Sequence, residues 1–283
     1  MQHERVRAGA APYRTPGSVF TGTARYYAGF RPGYPAELID LCVQFASAFP
    51  GRRVLDLATG TGAVAIALAE RGVDVVAVDP SSEMLDEARR SAAERGVTNV
   101  EWQEGSSYEL PDFDDVSLVT IGDAFHWMIP RAEALAALDQ RVVPGGAVAL
   151  LSHRWPGHPK PSWDPVLSRV RARHLGPSLS AGPTGQASRD EAGTHEDIFR
   201  HSAFSHLTKT TTDYTLNVTL DQLVNWQFSQ AQTSIPVLGD RRGAFESDLR
   251  ATLRAWEPTE RFQETSQAHL LLGRRPSARA ERP

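Results

Sequence analysis

The sequence predicts an α/β protein built on a doubly wound, mostly parallel sheet. Two observations lead to this prediction. Apolar segments of strand length alternate with helical segments between residues 53 and 151, and such alternation is typical of a parallel sheet. In addition, the apolar segment 54–57 runs into the glycine turn Gly60-Thr61-Gly62, which opens the next helical segment.

The helices and strands of the first half are predicted from the spacing of apolar residues and from the positions of proline and glycine. A helix is predicted over 36–48, because Leu38, Leu41, Cys42 and Phe45 recur at helical spacing after Pro35. The remaining predicted strands and helices are listed together, with a turn at Pro144-Gly145-Gly146 before the fifth strand: strands 53–57, 74–79, 99–103, 116–121 and 147–151, and helices 62–71, 82–95 and 131–142.

The second half is less regular. Helices are predicted over 163–175 and 219–230, and two further strands near 205–215 and 261–273 bring the sheet to seven strands. The Gly/Pro/Ser-rich stretch 176–189 is predicted to be a loop. Arg241-Arg242 is most simply a solvated turn, and the last ten residues are expected to be a free tail.

The glycine turn predicts a site for a nucleotide cofactor on a Rossmann-like fold. A side chain at Gly60 or Gly62 would block close approach of the cofactor or force an unfavourable backbone angle. Asp79 follows Gly60 by nineteen residues and ends the second predicted strand. Its carboxylate is expected to accept hydrogen bonds from both hydroxyls of a ribose.

Asp56 helps to decide which nucleotide binds. The segment Gly60 to Ala65 also satisfies the dinucleotide pattern G-x-G-x-x-A. A carboxylate just before the turn would repel a pyrophosphate, however, whereas it suits the ammonium and sulfonium of S-adenosylmethionine (SAM). The alternative is that Asp56 only caps its own turn through the backbone.

With these motifs the chain resembles the class I SAM-dependent methyltransferases, and within them the small-molecule branch that includes trans-aconitate methyltransferases. The resemblance covers residues 20–275 and is more specific before residue 155. It rests on the glycine turn, Asp79 and further segments of this sequence: Ala24-Arg25-Tyr26-Tyr27, Arg31-Pro32-Gly33-Tyr34-Pro35, Ala124-Phe125-His126-Trp127, Ser229 and Thr233-Ser234.

The resemblance implies a set of cofactor-binding residues. Ser106 and Ser107 stand where related enzymes usually place an acid near the adenine, and Met84 is expected to pack on the adenine face or in the core. Arg31 is expected to pair with the methionine carboxylate or an acidic substrate, or else to lie exposed against a tyrosine ring. The full set is Tyr27, Arg31, Asp56, Ala58, Gly60, Gly62, Asp79, Pro80, Met84, Ser106, Ser107 and Gly122.

His126 is the candidate general base, because it follows the fourth strand and ligands of open α/β sheets bind beyond the carboxyl ends of the strands. The alternatives are ligand contact without proton transfer, and a purely structural role. The expected substrate-binding residues are Tyr34, Trp127, His153, Trp226, Gln230 and Thr233, with Trp155 from the same segments. No metal is expected at His153 and His158, since no ligand set surrounds them in sequence.

Domain organisation follows from this arrangement. A single domain is predicted over 20–273: an N-terminal lid and helix at 20–50, a SAM-binding core at 51–152, substrate-pocket elements and a cap at 153–260, and the last strand at 261–273. Residues 1–19 and 274–283 are predicted tails, the first disordered.

The composition and net charge indicate which classes of binding partner to expect. The net charge of −4 and the isoelectric point of about 6.1 indicate no basic face, so nucleic acid is not expected and a small-molecule acceptor is. The single cysteine, Cys42, excludes an intrachain disulfide, and no apolar run of membrane-spanning length is present. We therefore expect a cytoplasmic protein that is a monomer or a homodimer.

The predicted function is methyl transfer to oxygen or nitrogen of a small organic metabolite, as in specialised, natural-product metabolism. Two alternatives keep the cofactor. The fold could retain SAM while catalysing a non-methylating reaction such as cyclisation, or it could be a SAM-binding accessory or regulatory protein. A dehydrogenase that binds NAD is a more distant alternative.

Overall fold

The computed structural model describes residues 20–113, 115–153, 160–176 and 193–277. Within them seven strands form one sheet, in the spatial order β3-β2-β1-β4-β5-β7-β6. The strands are β1 (Val54–Leu57), β2 (Val75–Asp79), β3 (Val100–Glu104), β4 (Val116–Gly122), β5 (Val142–Ser152), β6 (His206–Thr219) and β7 (Arg261–Arg274).

Strands β1 to β5 are parallel to their neighbours, whereas β7 runs antiparallel between β5 and β6. The predicted fold class, a mostly parallel seven-stranded sheet of Rossmann-like type, is therefore confirmed. The helices are α1 (Ala24–Phe30), α2 (Ala36–Ser47), α3 (Ala63–Ala69), α4 (Ser82–Glu94), α5 (Arg131–Asp139), α6 (Asp164–Leu175), α7 (His195–Arg200), α8 (Leu220–Phe228), α9 (Ile235–Leu238) and α10 (Arg242–Trp256).

The central strands β1, β2 and β4 are buried along almost their whole length because both faces of the sheet are covered. Successive side chains of a strand point to opposite faces, and the two core clusters show this directly. Leu55 and Val76 lie in one cluster, while Val54 and Val75 lie in the other. In the part of the chain that is described, none of the helices has the length and hydropathy needed to cross a membrane.

A third apolar cluster forms a cap beside the sheet. It combines Tyr26 of α1 with Phe228 of α8 and Phe245 of α10, together with residues of α6, β6 and β7. Helix α1 thus packs against elements that follow it by about 200 residues. The N-terminal segment and the C-terminal half consequently build one cover over the carboxyl ends of the parallel strands.

Four local predictions are wrong. The helix predicted over 131–142 ends at Asp139, and Pro144-Gly145-Gly146 lies inside β5, where the pairing with β4 shifts and absorbs the extra residues. Arg241-Arg242 is not a solvated turn, because α10 begins at Arg242. Residues 274–277 are not free either: the Arg275 guanidinium donates to the carbonyl oxygens of Asp139 and Val142.

Other predictions fall where the structure gives no description. The N-terminal tail 1–19, residues 177–189 of the predicted loop, Trp155, His158 and residues 278–283 lie outside the described residues.

Gly62 offers a test of how the turn is constrained. Its φ is +81°, and a Cβ there would lie 2.8 Å from the Trp102 ring, whereas Gly72 has a φ of +82° with nothing within 4 Å of a Cβ placed on it. Gly62→Ala is therefore expected to lower the free energy of unfolding by about 1–3 kcal/mol more than Gly72→Ala. Urea denaturation of both variants measures the difference; equal losses would contradict the Trp102 contact.

Candidate active site

Asp79 lies at the carboxyl end of β2, directly beside the glycine turn. One carboxylate oxygen accepts the Gly60 N–H at 2.8 Å and the other accepts the Ser81 N–H at 2.9 Å. Burial raises the pKa of Asp79, and these two backbone bonds oppose the rise. Because a carboxylate oxygen can accept two hydrogen bonds, each oxygen retains an acceptor position for a ligand hydroxyl.

Asp56 lies in β1 just before the glycine turn, with its side chain engaged inside the protein. Its side chain is buried and accepts hydrogen bonds from the Thr120 hydroxyl at 2.7 Å, the Thr59 hydroxyl at 2.5 Å and the Ala65 N–H at 3.2 Å. The carboxylate therefore ties β1 to the turn, to β4 and to the first turn of α3, as in the capping alternative. Burial raises its pKa to about 6, against the effect of the hydrogen bonds.

The segment after β3 is hydrogen-bonded to Asp79 at the carboxyl end of β2. The Gly105 N–H donates to the Asp79 carbonyl oxygen, and Ser106 and Glu109 close a short turn through their backbones. Ser107 is buried, and so is Met84, whose N–H is capped by the Ser81 hydroxyl. Ala58, with a positive φ of 57°, and Pro80, which is exposed, flank the two strand ends.

Helix α1 brings Tyr27 and Arg31 to the glycine turn. The Tyr27 ring is the group nearest to a Cβ placed on Gly60, at 3.8 Å. Arg31 lies over the Tyr27 ring at 3.9 Å and donates to its hydroxyl. The guanidinium also donates to the Ser229 hydroxyl at 3.1 Å and the Ser229 carbonyl at 2.7 Å. Arg31 therefore stacks on a tyrosine while it joins the cover to the end of α8.

Asp123, which was not among the predicted site residues, organises the neighbouring strand ends. Its carboxylate accepts the Tyr34 hydroxyl at 3.1 Å, the Ser152 hydroxyl at 2.9 Å and His153 Nδ1 at 2.6 Å. Burial raises its pKa, but the hydrogen bond and charge of His153 outweigh that effect, and with Ser152 and Arg31 they bring the pKa to about 2. Asp123 is thus ionised throughout the physiological pH range.

The signal for Asp123 was available in the sequence, since it follows β4 directly and precedes the Ala124-Phe125-His126-Trp127 segment. In the structure its φ of +47° is unusual for a residue other than glycine. The predicted Gly122 is its neighbour, and a Cβ on Gly122 would lie 2.8 Å from the Tyr34 hydroxyl. Tyr34 and Gly122 therefore meet, as their shared assignment to the site requires.

His153 is fully engaged. Besides the Asp123 bond, its Nε2 lies 3.2 Å from the Gly33 carbonyl oxygen, and its ring stacks on Tyr34 at a centroid distance of 4.3 Å. Both ring nitrogens therefore face acceptors on the strand end and on the cover. This arrangement suits a positioning group better than a proton acceptor.

His126 lies on a 3-10 turn after β4, beside Trp127. The residue is exposed overall, and within the described residues its imidazole makes no hydrogen bond. The protein groups around the ring desolvate it and lower its pKa; Asp123 opposes this, while Arg131 and Arg31 add to it. Trp127 in turn packs edge-on against Phe20 at 5.9 Å, next to the Tyr27 side of the cover.

The remaining predicted substrate residues belong to the cap. Trp226 packs against the cap cluster, and its indole Nε1 is buried without a hydrogen-bond partner among the described residues. Thr233 is buried and its hydroxyl donates to the Gln227 carbonyl at 2.5 Å, which closes the turn containing Gln230. Trp226 lies on the last turn of α8, and Gln230 and Thr233 follow the helix, on the same segment as the Ser229 that contacts Arg31.

Comparison with known proteins finds similarity in the segment that contains the candidate site. Residues 54–146 match a methyltransferase domain. That stretch contains β1 to β4, the glycine turn, Asp79, Asp123 and His126. An uncharacterized methyltransferase of Mycobacterium tuberculosis is 42% identical over 122 residues, which cover 43% of this chain and 46% of that protein.

A demethylmenaquinone methyltransferase of Thermus thermophilus is 38% identical over 144 residues, covering 50% of this chain and 62% of that protein. The chain thus spans about half the length of the relatives that it matches. Together these matches show that part of the chain is similar to methyltransferases.

Solved structures show the same fold over most of the chain. The cyclase SpnF aligns with a TM-score of 0.51 at 16% identity, covering 96% of this chain and 100% of that one. YjhP from E. coli aligns with a TM-score of 0.50 at 17% identity, covering 91% and 99%. At these identities the methyltransferase-domain match, rather than the structural likeness, bears on activity.

The raised pKa of Asp56 predicts a stability change with pH. The folded pKa of about 6 exceeds the ordinary aspartate value of 3.8, so protonation favours the folded state. This contribution to stability is present below the unfolded pKa and is lost as pH rises through about 6. Without cofactor, lowering the pH from 7 to 5 should stabilise the wild type by about 1 kcal/mol relative to Asp56→Asn.

Urea denaturation of both proteins at pH 5, 6 and 7 measures this difference. Parallel pH profiles for wild type and variant would show that Asp56 does not titrate in this range.

Proposed function

We propose that this protein is a SAM-dependent methyltransferase that acts on oxygen or nitrogen of a small organic metabolite. The observation that supports it most is the Asp79 carboxylate, which is oriented by Gly60 and Ser81 and keeps acceptor positions for two hydroxyls. It lies within the stretch that matches a methyltransferase domain. The narrower assignment to the trans-aconitate-type branch, and to natural-product biosynthesis, belongs to the same proposal.

The residues at this edge fit the proposed cofactor. Asp79 would bind the ribose, and the turn from Gly60 to Gly62 lets the backbone approach it closely. Ser106, Ser107 and Met84 would contact the adenine from the segment after β3 and from α4. Arg31 uses three of its five N–H groups within the protein, so two stay available for the methionine carboxylate.

The charges at this edge of the sheet favour a positively charged methyl donor. The carboxylate that favours it is Asp123, whereas the sequence suggested Asp56. Asp56 is engaged internally by three hydrogen bonds and has a raised pKa, whereas the pKa of Asp123, at the end of β4, is lowered to about 2. We assign the attraction for the positive charge of the cofactor mainly to Asp123, and a smaller part of it to Asp79. Burial raises the pKa of Tyr27, opposed by Arg31 and reinforced by Asp123 and Asp79, so its hydroxyl stays neutral between them.

The chain's own contribution to catalysis is alignment, exclusion of water and removal of a proton. Bound SAM supplies a methyl group already activated by the sulfonium. His126 would take the proton of a hydroxyl or ammonium acceptor at its imidazole nitrogen, which requires the neutral ring. The lowered pKa of His126 keeps the ring neutral at physiological pH. An acceptor carboxylate would need no base.

The acceptor is proposed to enter between His126, Trp127 and the cap. Tyr34 and His153 border this side, and the segment containing Trp226, Gln230 and Thr233 closes it through the Arg31 bonds to Ser229. We propose a small-molecule partner, no nucleic acid or membrane, a monomeric or homodimeric state and a cytoplasmic location.

A non-methylating reaction such as cyclisation is the second candidate. It is favoured by the likeness of the fold to SpnF, which is described as a cyclase. Product formation without accumulation of S-adenosylhomocysteine would identify this chemistry. Tight SAM binding with no turnover on a broad acceptor panel would instead indicate an accessory or regulatory protein.

Asp79→Asn tests the cofactor site. The variant is expected to weaken SAM binding by about 1.5–3 kcal/mol, because it loses charged hydrogen-bond acceptors. Asp74→Asn, an exposed carboxylate just before the same strand, is the charge-matched control and should change the affinity by less than about 0.5 kcal/mol. Isothermal titration calorimetry with SAM and S-adenosylhomocysteine measures both; saturable binding of NAD but of neither SAM nor its product would overturn the assignment.

His126→Ala tests the base. Turnover on a hydroxyl or amine acceptor is expected to fall by about 10²–10⁴, while SAM affinity stays within about twofold. In the wild type, turnover should rise with pH and reach its plateau below the pH typical of an ordinary histidine, because the pKa of His126 is lowered. His206→Gln, at an exposed position of β6, is the control. Unchanged turnover in His126→Ala would leave this residue a structural role.

A further inference from the structure

Two positively charged residues, Arg25 and Arg242, lie together on the cap, away from the glycine turn. Tyr26 and Phe30 stack on each other and Tyr26 packs against Phe228 of α8, whereas Tyr27 and Arg31 at the same helix contact the glycine turn and Ser229. Helix α1 thus has two functional sides. The side with Tyr26 faces α8 and α10.

Two arginines converge on the Tyr26 hydroxyl. Arg25 donates to it through Nη2 at 2.8 Å, and Arg242 of α10 donates through Nη2 at 2.6 Å. Both guanidinium groups also lie near the Tyr26 ring, at 4.7 and 5.6 Å from its centroid. The phenol oxygen thereby accepts two hydrogen bonds, so its own O–H points elsewhere and remains a donor.

Within the described part of the chain, no carboxylate pairs with either of these two positive charges. Among the described residues, neither Arg25 nor Arg242 forms a salt bridge with a carboxylate. Arg242 is also the first residue of α10, whose first turn contains no acidic residue. A cation at that end of a helix is unfavourable, because the helix dipole places partial positive charge there.

We propose that Arg25, Tyr26 and Arg242 bind a phosphate-class oxyanion on the cap. Each guanidinium donates one N–H to the Tyr26 oxygen and keeps four further N–H groups, and the phenol O–H adds a neutral donor, so two permanent cations and one hydroxyl border the same position. A dianionic phosphate matches both the charge of two guanidinium groups and their planar donor geometry. Tyr26 is only 6% exposed and supplies the rigid floor of the site.

The site would join parts of the chain that are distant in sequence. Arg25 precedes the glycine turn, whereas Arg242 follows it by about 180 residues. An anion bound between them would neutralise their repulsion and hold α1 against α10. The proposal is independent of SAM binding, since none of the three residues touches Asp79 or the glycine turn among the described contacts.

Calorimetric titration of the full chain with inorganic phosphate tests the site, in HEPES buffer with sodium chloride added to constant ionic strength. The wild type should show saturable binding of one phosphate. Arg25→Gln and Arg242→Gln should each weaken it at least tenfold, and Tyr26→Phe, which keeps the ring, about threefold. Arg25 is exposed, so its replacement tests the proposal even if Arg242→Gln perturbs the fold.

Arg241→Gln is the matched control. Arg241 is adjacent to Arg242 and exposed, and it donates only to the carbonyl oxygens of Val237, Leu238 and His174. The variant removes the same charge and should bind phosphate within twofold of the wild type. No saturable binding by the wild type, or equal weakening by Arg241→Gln and Arg242→Gln, would overturn the site.

A parallel titration with glycerol phosphate distinguishes the source of the anion. Binding at least tenfold tighter than that of inorganic phosphate would identify the phosphate group of an organic molecule as the ligand. Equal or weaker binding would identify free phosphate. In either case the dependence on Arg25 and Arg242 should be the same.

Discussion

The site depends on one pair of backbone hydrogen bonds to Asp79. The Gly60 and Ser81 N–H groups hold the two carboxylate oxygens, and they come from the loops that leave β1 and β2. The carboxylate therefore cannot rotate without breaking the connection between adjacent strand ends. Everything proposed for the cofactor follows from the resulting orientation, because each oxygen keeps an acceptor position at the carboxyl end of β2, one strand away from the switch point between β1 and β4.

Three carboxylates near this edge show how the surroundings assign roles to one residue type. Asp56 is enclosed by two hydroxyls and an amide, and burial raises its pKa to about 6. Asp123 is paired with His153, which outweighs burial and brings its pKa to about 2. Asp79 is buried, which raises its pKa, but two amides hold its oxygens and oppose that rise. Hydrogen-bond partners, neighbouring charges and desolvation distinguish these three groups.

The cover is held by arginine and aromatic contacts rather than by a continuous sheet. Arg31 links α1 to Ser229 after α8, and Arg242 links α10 back to Tyr26. Hydrogen bonds from charged groups are stronger than neutral ones, and the stacked rings add directional contacts. Arg31 and Arg242 act on opposite sides of α1. The position of α1 therefore depends on both the candidate cofactor site and the cap.

The sequence by itself determined the sheet, the glycine turn and Asp79, because strand and helix period and the turn are local patterns. The helical spacing of Phe245, Leu249 and Leu253 is a local signal for α10 of the same kind. Tertiary structure alone decided that Asp56 faces inward and that Asp123 pairs with His153. It alone also decided that Arg25 and Arg242 share one phenol. Burial and the pairing of residues some 30 to 200 positions apart have no local signature, because they arise only when the packed elements meet.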